Sequence, residues 1–197
     1  MSQTSKDPIA AHLALSRDAL ERATQDIGLL DTAREITDVI TGALRSGNKL
    51  LLAGNGGSAA DAQHIAAEFV GRYKKDRPAY AAIALTTDTS ALTAIGNDYG
   101  FEQIFARQVE GLGRRGDVLL AMTTSGRSAN ILAALKVARQ QGLVTVGFTG
   151  SKGASLAASC DHLLVAPSDD TAVIQQIHLT FAHGICDVIE QSLMRGV

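Results

Sequence analysis

The stretch Lys49-Leu50-Leu51-Leu52-Ala53-Gly54-Asn55-Gly56-Gly57-Ser58 decides the fold. A short continuous apolar run marks a strand buried on both faces, as in a parallel sheet covered by helices. This run opens into a glycine-rich loop, and a helical pattern follows at once over residues 59–72. Beyond the carboxyl end of a parallel strand, glycines let backbone N–H groups approach an anion, and a helix N-terminus adds positive potential. The loop is not a dinucleotide fingerprint, because Ala59 stands where the third glycine would be, and no Gly-Lys-Ser/Thr follows. A tight strand–helix turn would account for the glycines alone. The added Asn55 and Ser58 favour a polar ligand.

Working outward, similar apolar runs stand at 81–85, Val118–Met122, 143–149 and 162–165. Helical patterns over 59–72, 101–112, Ala129–Gln141 and 151–158 separate them, and a long one over Thr171–Met194 closes the chain. Such alternation predicts an α/β fold, a parallel sheet with helices on both sides. Residues 7–46 read as two helices with a break near Gly28. A length of 197 residues suits one domain, since domains run to roughly 100–200 residues. The core must be aliphatic and rich in alanine, because 46% of residues are hydrophobic but only 4% aromatic, with no Trp.

A formal charge of −2 without a concentrated basic face argues against nucleic-acid binding. The basic segment Arg72-Tyr73-Lys74-Lys75-Asp76-Arg77 reads as a solvated loop. Cys160 and Cys186 form no Cys-x-x-Cys pair, so neither a disulfide framework nor a cysteine zinc site is expected. No targeting signal or membrane span is legible. The expectation is a soluble, cytoplasmic protein.

The run Val118–Met122 leads into Thr123-Thr124-Ser125-Gly126-Arg127-Ser128 at the head of a helix. Hydroxyls and helix-start amides can enclose a phosphate monoester, and Arg127 adds charge or faces solvent. N-capping explains one hydroxyl, Ser128, but not those of Thr123, Thr124 and Ser125 as well. In the helix after the first loop, Asp61, His64, Glu68 and Arg72 form one stripe, opposite Ala62, Ile65, Ala66 and Phe69. An exposed polar stripe is the ordinary role of such spacing, but this one starts at a ligand loop. His64 and Glu68, one turn apart, can reach one metal ion. In the closing helix Gln175 and His183 lie about 80° apart and share a face, whereas His178 is about 140° from His183 and reads as a packing or solvent residue. Cys186 reads as small core filler, and His12 and His162 as surface or strand-end positions.

Residues 54–68, together with Arg77-Pro78, Ala94-Ile95-Gly96-Asn97-Asp98-Tyr99-Gly100, the Thr123–Ser128 loop and Ile174-Gln175…His178…His183, closely resemble the sedoheptulose 7-phosphate (phosphoheptose) isomerases of the SIS, or sugar isomerase, superfamily. The likeness runs from about residue 30 onward. It implies a single SIS domain over 1–197 with a five-stranded parallel sheet in three αβα layers. It further implies a homotetramer with active sites at subunit interfaces, residues 1–46 packing between subunits. One zinc ion per subunit would be bound by His64, Glu68, Gln175 and His183. The phosphosugar would lie near Asn55, Gly56, Gly57, Ser58, Asn97, Asp98, Thr123, Thr124, Ser125, Ser128 and Gln175. Glu68 and His183 would be the catalytic base–acid pair, with Asp61 and Arg72 as secondary candidates for orienting the site. The implied reaction is the first step toward ADP-heptose, used in lipopolysaccharide core or other heptose-containing glycans. Two positions depart from the usual pattern: Thr123 stands where Ser is common, and Gln176 where Glu often follows Ile-Gln. The rival expectations are a non-catalytic SIS protein that binds a replication initiator, and a phosphosugar-sensing domain. The initiator-binding relatives lack the helix Glu and the late His, both present here as Glu68 and His183.

Overall fold

In the computed structural model, which describes residues 7–195, five parallel strands form one sheet in the order β2-β1-β3-β4-β5. They are β1 (Leu50–Gly54), β2 (Ala82–Ala84), β3 (Val118–Met122), β4 (Val144–Gly150) and β5 (His162–Ala166). All five predicted apolar runs are strands. The helices are α1 (Pro8–Gln25), α2 (Ile27–Arg45), α3 (Gly57–Val70), α4 (Thr89–Tyr99), α5 (Ala106–Leu112), α6 (Ala129–Gln141) and α7 (Thr171–Met194). Strand alternation sends Leu50 and Leu52 into a cluster with α2, α3 and α7, and Leu51 and Ala53 into one with α5 and α6. The result is the three-layer arrangement expected.

Local chemistry sets the boundaries. The break between the first helices falls at Asp26 rather than at Gly28, because the Asp26 carboxylate accepts from Leu29 N–H and caps α2. Helix α4 was not anticipated: none of its residues is buried, so no apolar face announces it, although Asp88 caps it through Ala91 N–H. The helical pattern at 101–112 divides into a 3-10 turn, Phe101–Gln103, and α5, and the pattern at 151–158 is the 3-10 segment Ser151–Ser159.

His178 is fully buried, its Nε2 donating to the Thr149 carbonyl at 3.1 Å, and burial lowers its pKa to about 4. It is a neutral packing residue. Cys160 and Cys186 are free and buried, and burial pushes both thiols up to about 12. Among the described residues no helix is long and apolar enough to cross a membrane.

Candidate active site

The strand order reverses direction between β1 and β3, since β2 lies on one side of β1 and β4 and β5 lie beyond β3. Loops beyond the carboxyl ends at such a switch point diverge and leave a crevice. Both predicted anion loops stand there. They are tied together by a reciprocal amide pair, Asn55 to Asn130 at 2.9 Å and Asn130 to Asn55 at 2.8 Å. Asn55, Gly56, Gly57, Ser58, Thr123, Thr124, Ser128 and Gln175 line one cavity of about 290 Å³. Thr123 and Ser128 hydroxyls bond each other at 2.9 Å, so the methyl that Thr adds at 123 leaves the hydroxyl in place. Ser125 takes a different position: its Oγ accepts from Arg127 N–H at 3.2 Å, and it lines an adjoining cavity with Arg127 and Lys152.

Two glycines shape this cradle. Gly56 has φ +57°, a conformation that side-chain-bearing residues seldom adopt. At Gly57 a Cβ would lie 2.6 Å from Nε2 of Gln175, so the absent side chain is what lets the Gln175 amide close over the start of α3.

Further along the same helix pair, α3 and α7 bring a second group of residues together. Ala62, Ile65, Ala66 and Phe69 are buried, which turns the opposite face of α3 toward α7 and solvent. His64 Nε2 lies 2.9 Å from His183 Nε2 and 3.3 Å from Glu68 Oε1, and ligand atoms of all three fall within 4.8 Å of one another. At most one proton can lie between the two facing imidazole nitrogens, so at least one lone pair points into the cluster. Two imidazoles and a carboxylate converging on one point are a donor set of the kind that holds zinc. Tyr73, unremarked in the sequence, stacks on His183 with ring centroids 5.7 Å apart.

Three predicted positions lie elsewhere in the chain. Gln175 and His183 are eight residues apart, so about 12 Å of helix rise separates them, and Gln175 sits in the cradle rather than the cluster. Their shared face was legible; the rise is what keeps their side chains apart. Asn97 and Asp98 are exposed on α4, bonded to each other at 2.8 Å, and line neither cavity. Among the described residues one Asp61 carboxyl oxygen is buried without a hydrogen-bond partner, and burial raises its pKa.

Comparison with known proteins places the chain in a family. Residues 14–150 match the SIS domain family. A phosphoheptose isomerase from a Bradyrhizobium species is 67% identical over the full length of both chains. The chain belongs to the phosphoheptose isomerase family. The solved phosphoheptose isomerase of Neisseria gonorrhoeae is 45% identical, with TM-score 0.87, over 93% of this chain and 97% of its own. That of Francisella tularensis is 36% identical, with TM-score 0.89, over 97% of this chain and all of its own.

Proposed function

We propose that this protein is the aldose–ketose isomerase that converts sedoheptulose 7-phosphate to D-glycero-D-manno-heptose 7-phosphate, a step toward ADP-heptose. The observation that carries the reading is the pairing of a hydroxyl-and-amide cradle with a His–Glu–His cluster in a member of this family. Moving the carbonyl from C2 to C1 removes a proton from C1, passes through an enediol and returns a proton to C2. Glu68 and His183 are the base and acid, close enough to one another to serve adjacent carbons. A bound zinc ion would polarise the carbonyl and stabilise negative charge on its oxygen. A carboxylate cannot be a tight ligand and a free base at once, so Glu68 binds the ion weakly or moves during turnover. The cradle holds the phosphate away from the reacting carbons and supplies orientation. Initiator binding and phosphosugar sensing have no comparable support, since the relatives named above, at 36–67% identity, carry the isomerase's name. Isomerisation of sedoheptulose 7-phosphate by the purified protein with added Zn²⁺ is the direct test; no turnover would return the non-catalytic reading.

Replacing both Ser125 and Ser128 with Ala should raise KM for the phosphosugar and leave the fold intact. Unchanged phosphosugar binding in that variant would move the phosphate elsewhere. Ser128 is the larger contributor expected, since it shares the cavity with Thr123.

The ligand set also bears on assembly. As oriented in this structure, Gln175 and His183 of one chain do not converge, so an ion held by both would draw them from two chains, which accords with a homotetramer whose sites lie at subunit interfaces. Exposed Asn97 and Asp98 are likewise free to complete a neighbour's site. Ile9, Leu13 and Ile27 on α1 and α2 are exposed, which leaves these helices apolar surface to pack against another subunit. Hybrid tetramers reassembled from inactive Gln175→Ala and His183→Ala chains should regain part of the activity. If each site were built from one chain, the hybrids would stay inactive, and this arrangement would be wrong.

A further inference from the structure

His183, Asp187 and Glu190 stand at i, i+4 and i+7 on α7 and share a face. The segment that leaves α3 crosses that face. The Glu190 carboxylate, 2% exposed, accepts from the backbone N–H groups of Tyr73 at 3.1 Å, Lys74 at 2.9 Å and Lys75 at 2.9 Å, and from Arg77 Nε at 3.2 Å. Lys74 Nζ adds a bond to Asp187 at 2.8 Å. The segment read from sequence as a solvated loop is therefore fastened to α7, and its Arg77 side chain is only 3% exposed.

Arg77 in turn holds the end of α3. Its guanidinium donates to the carbonyls of Glu68 at 2.6 Å, Phe69 at 2.8 Å and Gly71 at 3.2 Å, groups left without helical partners where α3 stops. On the other branch, the bonds to residues 73–75 lay the Tyr73 ring against His183 with planes 23° apart. Glu190 touches neither Glu68 nor His183 directly, yet both branches end on them.

We propose that Glu190 is a positioning residue for the His64–Glu68–His183 cluster, fixing the Glu68 end of α3 through Arg77 and the His183 imidazole through Tyr73. The inference rests on the reading of that cluster as a zinc and proton-transfer site. A buried ion pair is seldom more stabilising than apolar residues of the same volume, so stability alone is a weak reason for one here. Its use is geometric: four donors converge on two oxygens and define where the segment lies. Burial would raise the Glu190 pKa, but the N–H groups of Lys74, Lys75 and Tyr73 and the charge of Arg77 outweigh it and hold the carboxylate below its ordinary range. The anchor stays charged.

The test compares wild type with Glu190→Gln, Tyr73→Leu and Tyr73→Phe. Readouts are Zn²⁺ affinity by competition with a chromogenic chelator, kcat and KM on sedoheptulose 7-phosphate, and the melting temperature of metal-free protein. Groups that orient metal ligands typically contribute about 10–100-fold in affinity or activity, and a loss of that size is expected in Glu190→Gln and Tyr73→Leu, with KM little changed. Tyr73→Phe keeps the ring and should behave like wild type. A purely structural Glu190 would lower the melting temperature while the folded variant kept its Zn²⁺ affinity and kcat. Should Glu190→Gln fail to fold, Tyr73→Leu decides the matter. Wild-type Zn²⁺ affinity and kcat in Tyr73→Leu, or equal losses in Tyr73→Phe and Tyr73→Leu, overturn the proposal. A wild-type protein that neither binds Zn²⁺ nor isomerises overturns the underlying reading instead.

Discussion

Glu68→Gln should lower kcat by at least about 10²-fold and by as much as 10⁴-fold, the range over which a positioned acid or base contributes. The substitution keeps the side chain's shape and an oxygen that can still face a metal ion. It removes the basicity together with the negative charge. Glu68 is held at the cluster by its helix, and Arg77 bonds its backbone carbonyl rather than its carboxylate, so the last turn of α3 should be undisturbed. Phosphosugar binding should persist, because the cradle at the start of α3 is built from other residues. The measurement is kcat at saturating substrate and Zn²⁺, beside binding of the phosphosugar and a melting curve. His183→Ala provides the companion result. If both variants turn over at close to the wild-type rate, the assignment of acid and base is wrong.

What the sequence made legible divides along a physical line. The central strands β1, β3 and β4 are buried on both faces and read as continuous apolar runs, and the partly exposed edge strands β2 and β5 are apolar enough to have been readable with them. The loops after β1 and β3 were readable because glycines and hydroxyls concentrated at a strand–helix junction have few other uses. Helix α4 carries no buried side chain, so nothing periodic marked it. Angle along α7 groups Gln175 with His183, but an angular projection discards rise, and the structure puts Gln175 in the cradle and His183 in the cluster. Residues 72–77 form the exposed loop expected, and only the burial of Arg77 escaped the sequence. A cluster of Lys and Arg looks solvated unless its acidic partner is known, and the partner of Arg77 lies 113 residues away on α7. Sequence alone could have offered one clue: an acidic residue one face-repeat beyond His183, set among the apolar Cys186, Ile189 and Leu193.

Removing the metal should be the other large effect. Protein stripped by a chelator should lose turnover and regain it with Zn²⁺, and His64→Ala should weaken Zn²⁺ binding by more than the 10–100-fold typical of an outer partner, because it deletes a ligand outright. His64 is suited to this test. Its side chain is 48% exposed, so truncation opens no core cavity, and a surface change of this kind alters stability by no more than about 0.5 kcal/mol. Loss of zinc with an unchanged melting curve for the metal-free protein would then report on the site alone. The two imidazoles also make opposite demands. Without an ion, the 2.9 Å approach of His64 Nε2 to His183 Nε2 needs a shared proton, whereas a bound ion needs both lone pairs. If His64→Ala binds Zn²⁺ as tightly as wild type, the metal lies elsewhere, and Glu68 and His183 would have to carry the isomerisation without it.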